Sequence, residues 1–126
     1  MPKQAVHTDA APAAIGVYSQ AIKAGDTVYI SGQIPLLPEN GEMVSDNIND
    51  QIHQVFKNMA AVAEAAGGTL ADAVKVTVFL TDLGNFGAVN EIMAEYFPEP
   101  YPARAALEIS ALPKGALVEA DAILSL

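Results

Sequence analysis

The chain has 126 residues, a length typical of one domain, and 52% of them are hydrophobic, which is enough to bury a core. Charged residues make up 17% of the chain, against about 25% in an average soluble domain, so we expect part of the surface to meet another subunit. The formal net charge of −9 repels phosphate backbones and anionic membrane surfaces. We therefore expect residues 1–126 to form a single domain that binds neither nucleic acid nor a membrane.

Several classes of site are excluded by composition. The chain contains no cysteine, so it has no disulfide, cysteine-based zinc site or thiol nucleophile, and its two histidines, His7 and His53, cannot make a three-histidine metal site. A glycine-rich phosphate loop and a Rossmann fingerprint are both absent. We expect no metal and no nucleotide cofactor. A secretory signal and a run of about 18 apolar residues are also absent, which predicts a cytoplasmic protein.

The first half of the chain predicts a hairpin and a helix. Strand-forming residues fill 18–24 and 27–33, with a tight turn at Gly25-Asp26 between them. From residue 46 to 66, apolar residues recur every three or four positions and share one helical face. Asn47 and Asp50 are placed to cap the start of this helix, and Gly67-Gly68 to end it.

The second half predicts a strand, a second helix and two further strands. The strand covers 75–81, the helix runs from Phe86 to Phe97 before Pro98, and the last strands cover 104–109 and 117–126. The order β-β-α-β-α-β-β predicts an α+β fold with both helices on one face of a mixed sheet. We expect parallel pairing across each helix and a hairpin at both ends of the chain. Self-association would cover the other face of the sheet.

Arg104 is the only arginine in the chain, and it lies in the otherwise apolar stretch Pro102-Ala-Arg-Ala-Ala-Leu107. A guanidinium presents a planar fork that binds a carboxylate through two parallel hydrogen bonds, which lysine cannot do. A small anion site is one interpretation. The alternative is a structural ion pair with Glu108 or another acid.

Glu119 and Asp121 share one face of the last strand, because Val118 and Ala120 alternate with them. Two carboxylates on one apolar face repel each other, which raises the pKa of one of them or requires a cation. Such a carboxylate can hold or activate a water molecule as a general base. The alternative is that this face borders solvent.

Four further residues are candidates for a ligand site. Tyr18, Ser31 and Asn90 are polar groups within structured segments, and each can bind a ligand or hydrogen-bond the backbone. Gly32 lies inside a strand pattern, which indicates a bulge or a close approach of another group to the backbone. His53 shares the polar helix face and is expected to be solvated.

Five sequence blocks in a fixed order carry a family resemblance over nearly the whole chain. The most specific is Tyr101-Pro-Ala-Arg104, followed by Leu112-Pro-Lys114 and Val118-Glu119. With these blocks the chain resembles the RidA/YjgF family of small imine deaminases, also called the L-PSP family. The other blocks are 11–20, 29–35, 74–83 and 86–90.

The resemblance implies a chorismate-mutase-like α+β fold, assembled as a homotrimer with a cleft between each pair of neighbouring subunits. It also implies a reaction, the hydrolysis of reactive 2-imino acids, released by pyridoxal-phosphate dehydratases, to 2-oxo acids and ammonia. Such family members carry no cofactor of their own. The implied partners are the small 2-imino acid and two further copies of the chain.

The resemblance also implies roles for the candidate residues. Arg104 would bind the substrate carboxylate, Glu119 would position and activate water, and Tyr18 would close the site from across the interface. The residues implied to contact substrate or line the cleft are Ser31, Gly32, Asn90 and Ala106, with Gly32 and Ala106 acting through their backbone.

The chain departs from the family pattern at two positions. Many relatives have cysteine where this chain has Ala106, so a reactive thiol is impossible, and Val17 replaces a common proline. Two alternative functions stay open: a non-catalytic carboxylate-binding trimer, and the endoribonuclease or translation-inhibitor activity attached to the family's name. The net charge of −9 and the single arginine disfavour the second alternative.

Overall fold

Six strands form one mixed sheet, and two α-helices pack on it in the computed structural model, which describes residues 2–126. The spatial order of the strands is β1-β2-β3-β6-β4-β5. Strands β4 and β5 are parallel, and every other neighbouring pair is antiparallel. The elements are β1 (Gln4–Val6), β2 (Ala21–Ala24), β3 (Thr27–Gln33), α1 (Ile48–Ala65), β4 (Ala73–Leu80), α2 (Phe86–Tyr96), β5 (Ala103–Glu108) and β6 (Val118–Ser125).

The α+β fold with two helices on one face is confirmed. Helix α1 begins at the predicted cap, where the Asn47 side chain accepts hydrogen bonds from the backbone N–H groups of Asn49 and Asp50. It ends before Gly67, whose φ of +94° is a left-handed conformation that glycine adopts without strain. The core lies between helices and sheet, where Phe56 of α1 packs edge-on against Phe97 at the end of α2.

Two predictions about strand pairing are wrong. The last two strands do not form a hairpin, because β6 lies between β3 and β4 while β5 is at the edge of the sheet. For the same reason β3 and β4 are not neighbours, so parallel pairing across a helix holds only for β4 and β5. A central strand that returns from the end of the chain satisfies the hydrogen-bonding edges of both β3 and β4, and such a long-range pairing leaves no local pattern.

Two strand boundaries also differ from the sequence prediction. Residues 18–20 precede β2 in irregular backbone, so Tyr18 is not in a strand. The short strand β1 was not predicted, because three mostly exposed residues show no alternation.

No α-helix within residues 2–126 combines the length and the apolar character needed to cross a bilayer. The cytoplasmic location stays a prediction.

The sheet face opposite the helices is not covered within one chain. Tyr29 of β3 and Leu107 of β5, an aromatic and an apolar side chain on this face, are 51% and 45% exposed. We call this surface the open face. It also carries the outward side chains of β4 and β6, among them Phe79 and Ile123.

Candidate functional site

Arg104 lies against helix α2, on the helix-covered side of the sheet. Its Nη1 donates a hydrogen bond to Oδ1 of Asn90 at 2.9 Å and approaches Sδ of Met93 at 3.7 Å. The guanidinium carbon lies 4.7 Å from the centre of the Phe86 ring, a cation–π distance. Three side chains of one helix face therefore hold the only arginine of the chain.

The alternative of a structural ion pair with Glu108 is wrong. Oε1 of Glu108 instead accepts a hydrogen bond from the backbone N–H of Leu83 at 2.8 Å. The single salt bridge between the residues described here, 2–126, joins His7 to Asp9. Arg104 is exposed, and no acidic side chain within residues 2–126 pairs with its guanidinium, which is therefore available to an external anion.

A groove of about 310 Å³ opens beside Arg104. Besides the guanidinium and Asn90, its wall is made mostly of apolar or aromatic side chains. A groove of this size, with one cation and an apolar wall, suits a small carboxylate with a short side chain. The remaining lining residues are Met93, Ala94, Tyr101 and Pro102.

Glu119 lies on the open face and packs against Gly32 of β3. A Cβ atom placed on Gly32 would lie 2.5 Å from Oε2 of Glu119, so the missing side chain at Gly32 makes room for this carboxylate. The pKa of Glu119 is raised, first by its partial burial and second by the negative charge of Asp121. The predicted pairing of Glu119 with Asp121 on one face is confirmed, and so is the predicted close approach at Gly32.

Asp121 is set apart from Glu119 by its neighbours. Burial raises its pKa, while a hydrogen bond with Thr77 and the positive charge of Lys75 oppose the rise. Asp121 therefore has two groups on β4 that compensate its charge. Glu119, in contrast, pairs across the ladder with Phe79 and is the less compensated of the two carboxylates.

Tyr18 projects from the segment that precedes β2 and is 54% exposed. Ser31 anchors this segment, because its Oγ donates a hydrogen bond to the backbone oxygen of Ser19. The buried side chain of Gln20 donates hydrogen bonds to the backbone oxygens of Thr8 and Pro12 at 3.0 and 2.9 Å. Ser31 therefore positions the backbone next to Tyr18, and Gln20 is a structural residue that sequence reasoning missed.

The candidate residues form two groups on opposite faces of the sheet. Arg104 pairs with Val76 of β4, which is fully buried beneath the helices, whereas Glu119 pairs with Phe79 three residues further along β4. Because side chains alternate along a strand, residues an odd number apart point to opposite faces. Arg104 and Glu119 of one chain therefore cannot reach the same small ligand.

The first group, which we call the arginine half-site, consists of Arg104 with Asn90 and the groove beside them. Ala106 lies two residues along β5 from Arg104, on the same face of the strand. The second group, the glutamate half-site, has Glu119 against Gly32, with Ser31 and Tyr18 nearby; Tyr18 and Gly32 line one small cavity. Sequence reasoning missed Phe86 and Met93, although their spacing from Asn90 on one helix face was a usable signal.

Neither histidine enters these groups. Nδ1 of His53 lies 2.8 Å from the hydroxyl of Tyr96, so the prediction that His53 is simply solvated is wrong. His7 is exposed beside Asp9. Residues 2–126 contain no cluster of three or more histidine and acidic side chains suited to a metal ion.

We predict that Gly32→Ala lowers activity while the fold is retained. The added methyl group would displace the Glu119 carboxylate, which sits at the flexible end of its side chain and can move. We expect kcat/KM to fall by about tenfold or more, since a misplaced catalytic group loses much of its effect. Steady-state kinetics with circular dichroism as the folding control tests this. Gly87→Ala, where a Cβ meets nothing within 4 Å, is the matched control. Unchanged kinetics in Gly32→Ala would contradict the role of this contact.

Comparison with known proteins identifies a family. The model of the family described as endoribonuclease L-PSP matches residues 8–125. A RutC family protein of Pyrococcus horikoshii is 52% identical, and the match covers 96% of both chains. The human protein named 2-iminobutanoate/2-iminopropanoate deaminase is 44% identical over 96% of this chain and 88% of its own.

Solved structures give the same fold. The crystal structure of RidA from the Antarctic bacterium Psychrobacter sp. PAMC 21119 superposes with a TM-score of 0.94 and 52% identity, covering 98% of this chain and 99% of its own. Escherichia coli TdcF, crystallised with bound serine, superposes with a TM-score of 0.92 and 37% identity, and the match covers 98% of both chains. The predicted chorismate-mutase-like RidA/YjgF fold is confirmed.

Proposed function

The chain belongs to the endoribonuclease L-PSP family, also called RidA/YjgF, and from this we propose that it is a deaminase that hydrolyses reactive 2-imino acids to 2-oxo acids and ammonia. The observation that carries the proposal is the unneutralised guanidinium of Arg104 beside a groove of about 310 Å³. Relatives that are 44–48% identical bear the names 2-iminobutanoate/2-iminopropanoate deaminase and Reactive Intermediate Deaminase A.

The chemistry needs few groups because the carbon of a protonated imine is already electrophilic. Arg104 binds the substrate carboxylate through its fork and places the imine carbon in the cleft. Glu119 takes a proton from water as the oxygen attacks that carbon, which gives a tetrahedral carbinolamine. The proton then passes to the nitrogen. As the C–N bond breaks, ammonia leaves, the hydroxyl loses its proton and the 2-oxo acid forms.

The active site in this proposal is shared between two copies of the chain. Arg104 and Glu119 of one protomer lie on opposite faces of its sheet, so the arginine half-site of one copy meets the glutamate half-site of a neighbour. Tyr18 belongs to the neighbour's half and closes the cleft. Backbone groups of Gly32 and Ala106 contact the ligand from the two sides.

The assembly in this proposal is the homotrimer that the family resemblance implies, and a site shared head to tail is compatible with it. A head-to-tail contact between two different surfaces repeats around a ring, and three copies give three equivalent clefts. The exposed apolar side chains of the open face, such as Leu107, support burial in an assembly. Sedimentation equilibrium tests the trimer directly, and a stable monomer would contradict the shared site.

The endoribonuclease activity in the family's description is not favoured for this chain. RNA cleavage calls for a basic surface and an acid–base pair. The net charge is −9, and His53 is engaged with Tyr96 on the helix layer rather than placed beside Arg104.

An imine-trapping assay tests the proposed function. A threonine dehydratase or an amino-acid oxidase generates the 2-imino acid, and semicarbazide converts the free imine to a chromophoric semicarbazone. We expect the wild-type protein to suppress semicarbazone formation and Arg104→Ala to have no such effect. A verified wild-type trimer that suppresses nothing with short or aromatic 2-imino acids would refute the deaminase and leave the carboxylate-binding alternative.

A further inference from the structure

We infer that Asn90 is a positioning residue, which orients the guanidinium of Arg104 for the substrate carboxylate without neutralising its charge. The inference deepens the proposed function, because it assigns the determinant of anion binding at the same site. The family resemblance implies only that Asn90 contacts the substrate or lines the cleft, and the inference gives it a defined role there.

The geometry of helix α2 supports this role. Phe86, Asn90 and Met93 are spaced by four and three residues, so they form one stripe along the helix. The guanidinium of Arg104 lies on that stripe, over the Phe86 ring at 4.7 Å and with Nη1 2.9 Å from Oδ1 of Asn90. The ring and the amide oxygen together restrict both the tilt and the rotation of the guanidinium.

Some N–H donors of the Arg104 guanidinium are not used within residues 2–126 and remain available to a ligand. A guanidinium has five N–H donors, and Asn90 accepts from Nη1 only. The donors that remain include Nη2 and Nε, which lie in one plane and suit the two oxygens of a carboxylate. The oxygen of Asn90 is engaged by Arg104, so this oxygen acts on a ligand through the guanidinium.

Asparagine rather than aspartate at position 90 favours anion binding, because the amide oxygen is neutral. An amide oxygen orients a cation while leaving its full charge to attract a substrate anion. A carboxylate at the same position would form an internal ion pair and compete with the substrate. No such pair exists for Arg104 within residues 2–126, although the chain carries 15 acidic residues.

The experiment uses the fact that Arg104 is the only arginine. Protein labelled with ¹⁵N-arginine gives the signals of one guanidinium, and the exchange between its Nη groups reports how freely it rotates. We expect slow exchange in the wild type and at least about threefold faster exchange in Asn90→Ala, since one charge-assisted hydrogen bond is lost. Asn90→Asp should keep the exchange slow. Asn49→Ala and Asn49→Asp, on the exposed first turn of α1, make the same changes away from the site.

Affinity for 2-oxobutanoate, a stable carboxylate, is the second readout. We expect calorimetry to show about tenfold weaker binding by Asn90→Asp, because an internal carboxylate satisfies the guanidinium, and a smaller loss in Asn90→Ala. The Asn49 variants should bind like the wild type. Unchanged Nη exchange in Asn90→Ala, or wild-type affinity in Asn90→Asp, would overturn the inference.

These measurements are separable from the proposed function because neither needs turnover. If the imine-trapping assay fails but Asn90→Ala frees the guanidinium and Asn90→Asp weakens 2-oxobutanoate binding, the deaminase is refuted and the positioning role stands. If deamination is confirmed but the guanidinium rotates equally in Asn90→Ala, the positioning role is refuted and the deaminase stands.

Discussion

Arg104→Lys is expected to lower kcat/KM for a 2-imino acid by about 100-fold, although the positive charge is retained. Lysine cannot give two parallel hydrogen bonds to a carboxylate, and each charge-assisted hydrogen bond contributes about 1.5–3 kcal/mol. An ammonium group also cannot lie flat on Phe86 as the guanidinium does. We expect most of the loss in KM, since carboxylate binding is shared by the ground state and the transition state. Steady-state kinetics with a dehydratase-coupled assay measures the effect.

The matched control for Arg104→Lys is Lys57→Arg on the exposed face of α1, which exchanges the same two residue types away from the site. We expect this control to keep wild-type kinetics. Wild-type kcat/KM in Arg104→Lys would show that charge alone is sufficient at this position and would contradict the carboxylate fork.

Glu119→Gln is expected to lower kcat by about 100-fold or more, because general base catalysis typically contributes about 10²–10⁴-fold. The amide retains the shape of the side chain and its place against Gly32, so KM and the assembly should change little. Stopped-flow or steady-state turnover together with sedimentation measures this. Glu64→Gln, an exposed glutamate of α1, is the control, and an unaffected kcat in Glu119→Gln would remove this residue as the base.

The raised pKa of Glu119 gives this prediction a pH dependence. The base acts as a carboxylate, so wild-type kcat should fall as the pH drops through a pKa above the ordinary glutamate value of 4.5. Folding favours the protonated form of a group whose folded pKa is raised, so the carboxylate costs stability above the unfolded pKa. In the dissociated subunit, where the neighbour's Arg104 does not face this carboxylate, Glu119→Gln should therefore raise the melting temperature at pH 7, and the gain should disappear below the unfolded pKa. A melting temperature lowered at pH 7 would contradict the assigned cause.

The helices and most strands could be predicted from sequence because each rests on a local pattern. The spacing of Ile52, Val55, Phe56 and Met59 defines the buried face of α1, and the alternation around Glu119 defines the two faces of β6. The central position of β6 could not be predicted. It depends on pairing with β3 and β4, which lie far away in sequence.

The division of the site into an arginine half-site and a glutamate half-site could not be predicted either, because it also depends on how distant strands pair. The chemistry of Arg104 and Glu119 is readable from residue type, but their opposite faces depend on the register that pairs Arg104 with Val76 and Glu119 with Phe79. Gly32, a glycine inside a strand pattern, indicated that another group approaches the backbone closely there. That the approaching group is Glu119 again depended on the register of neighbouring strands.

The most direct test of the shared site is complementation between two inactive variants. Arg104→Ala and Glu119→Gln are co-expressed in equal amounts, and the mixed trimers are assayed for imine hydrolysis. Half of the subunits carry an intact arginine half-site and half carry an intact glutamate half-site. Random assembly head to tail therefore restores about one quarter of wild-type activity. If co-assembled trimers are no more active than the two variants purified separately, Arg104 and Glu119 do not act across the interface.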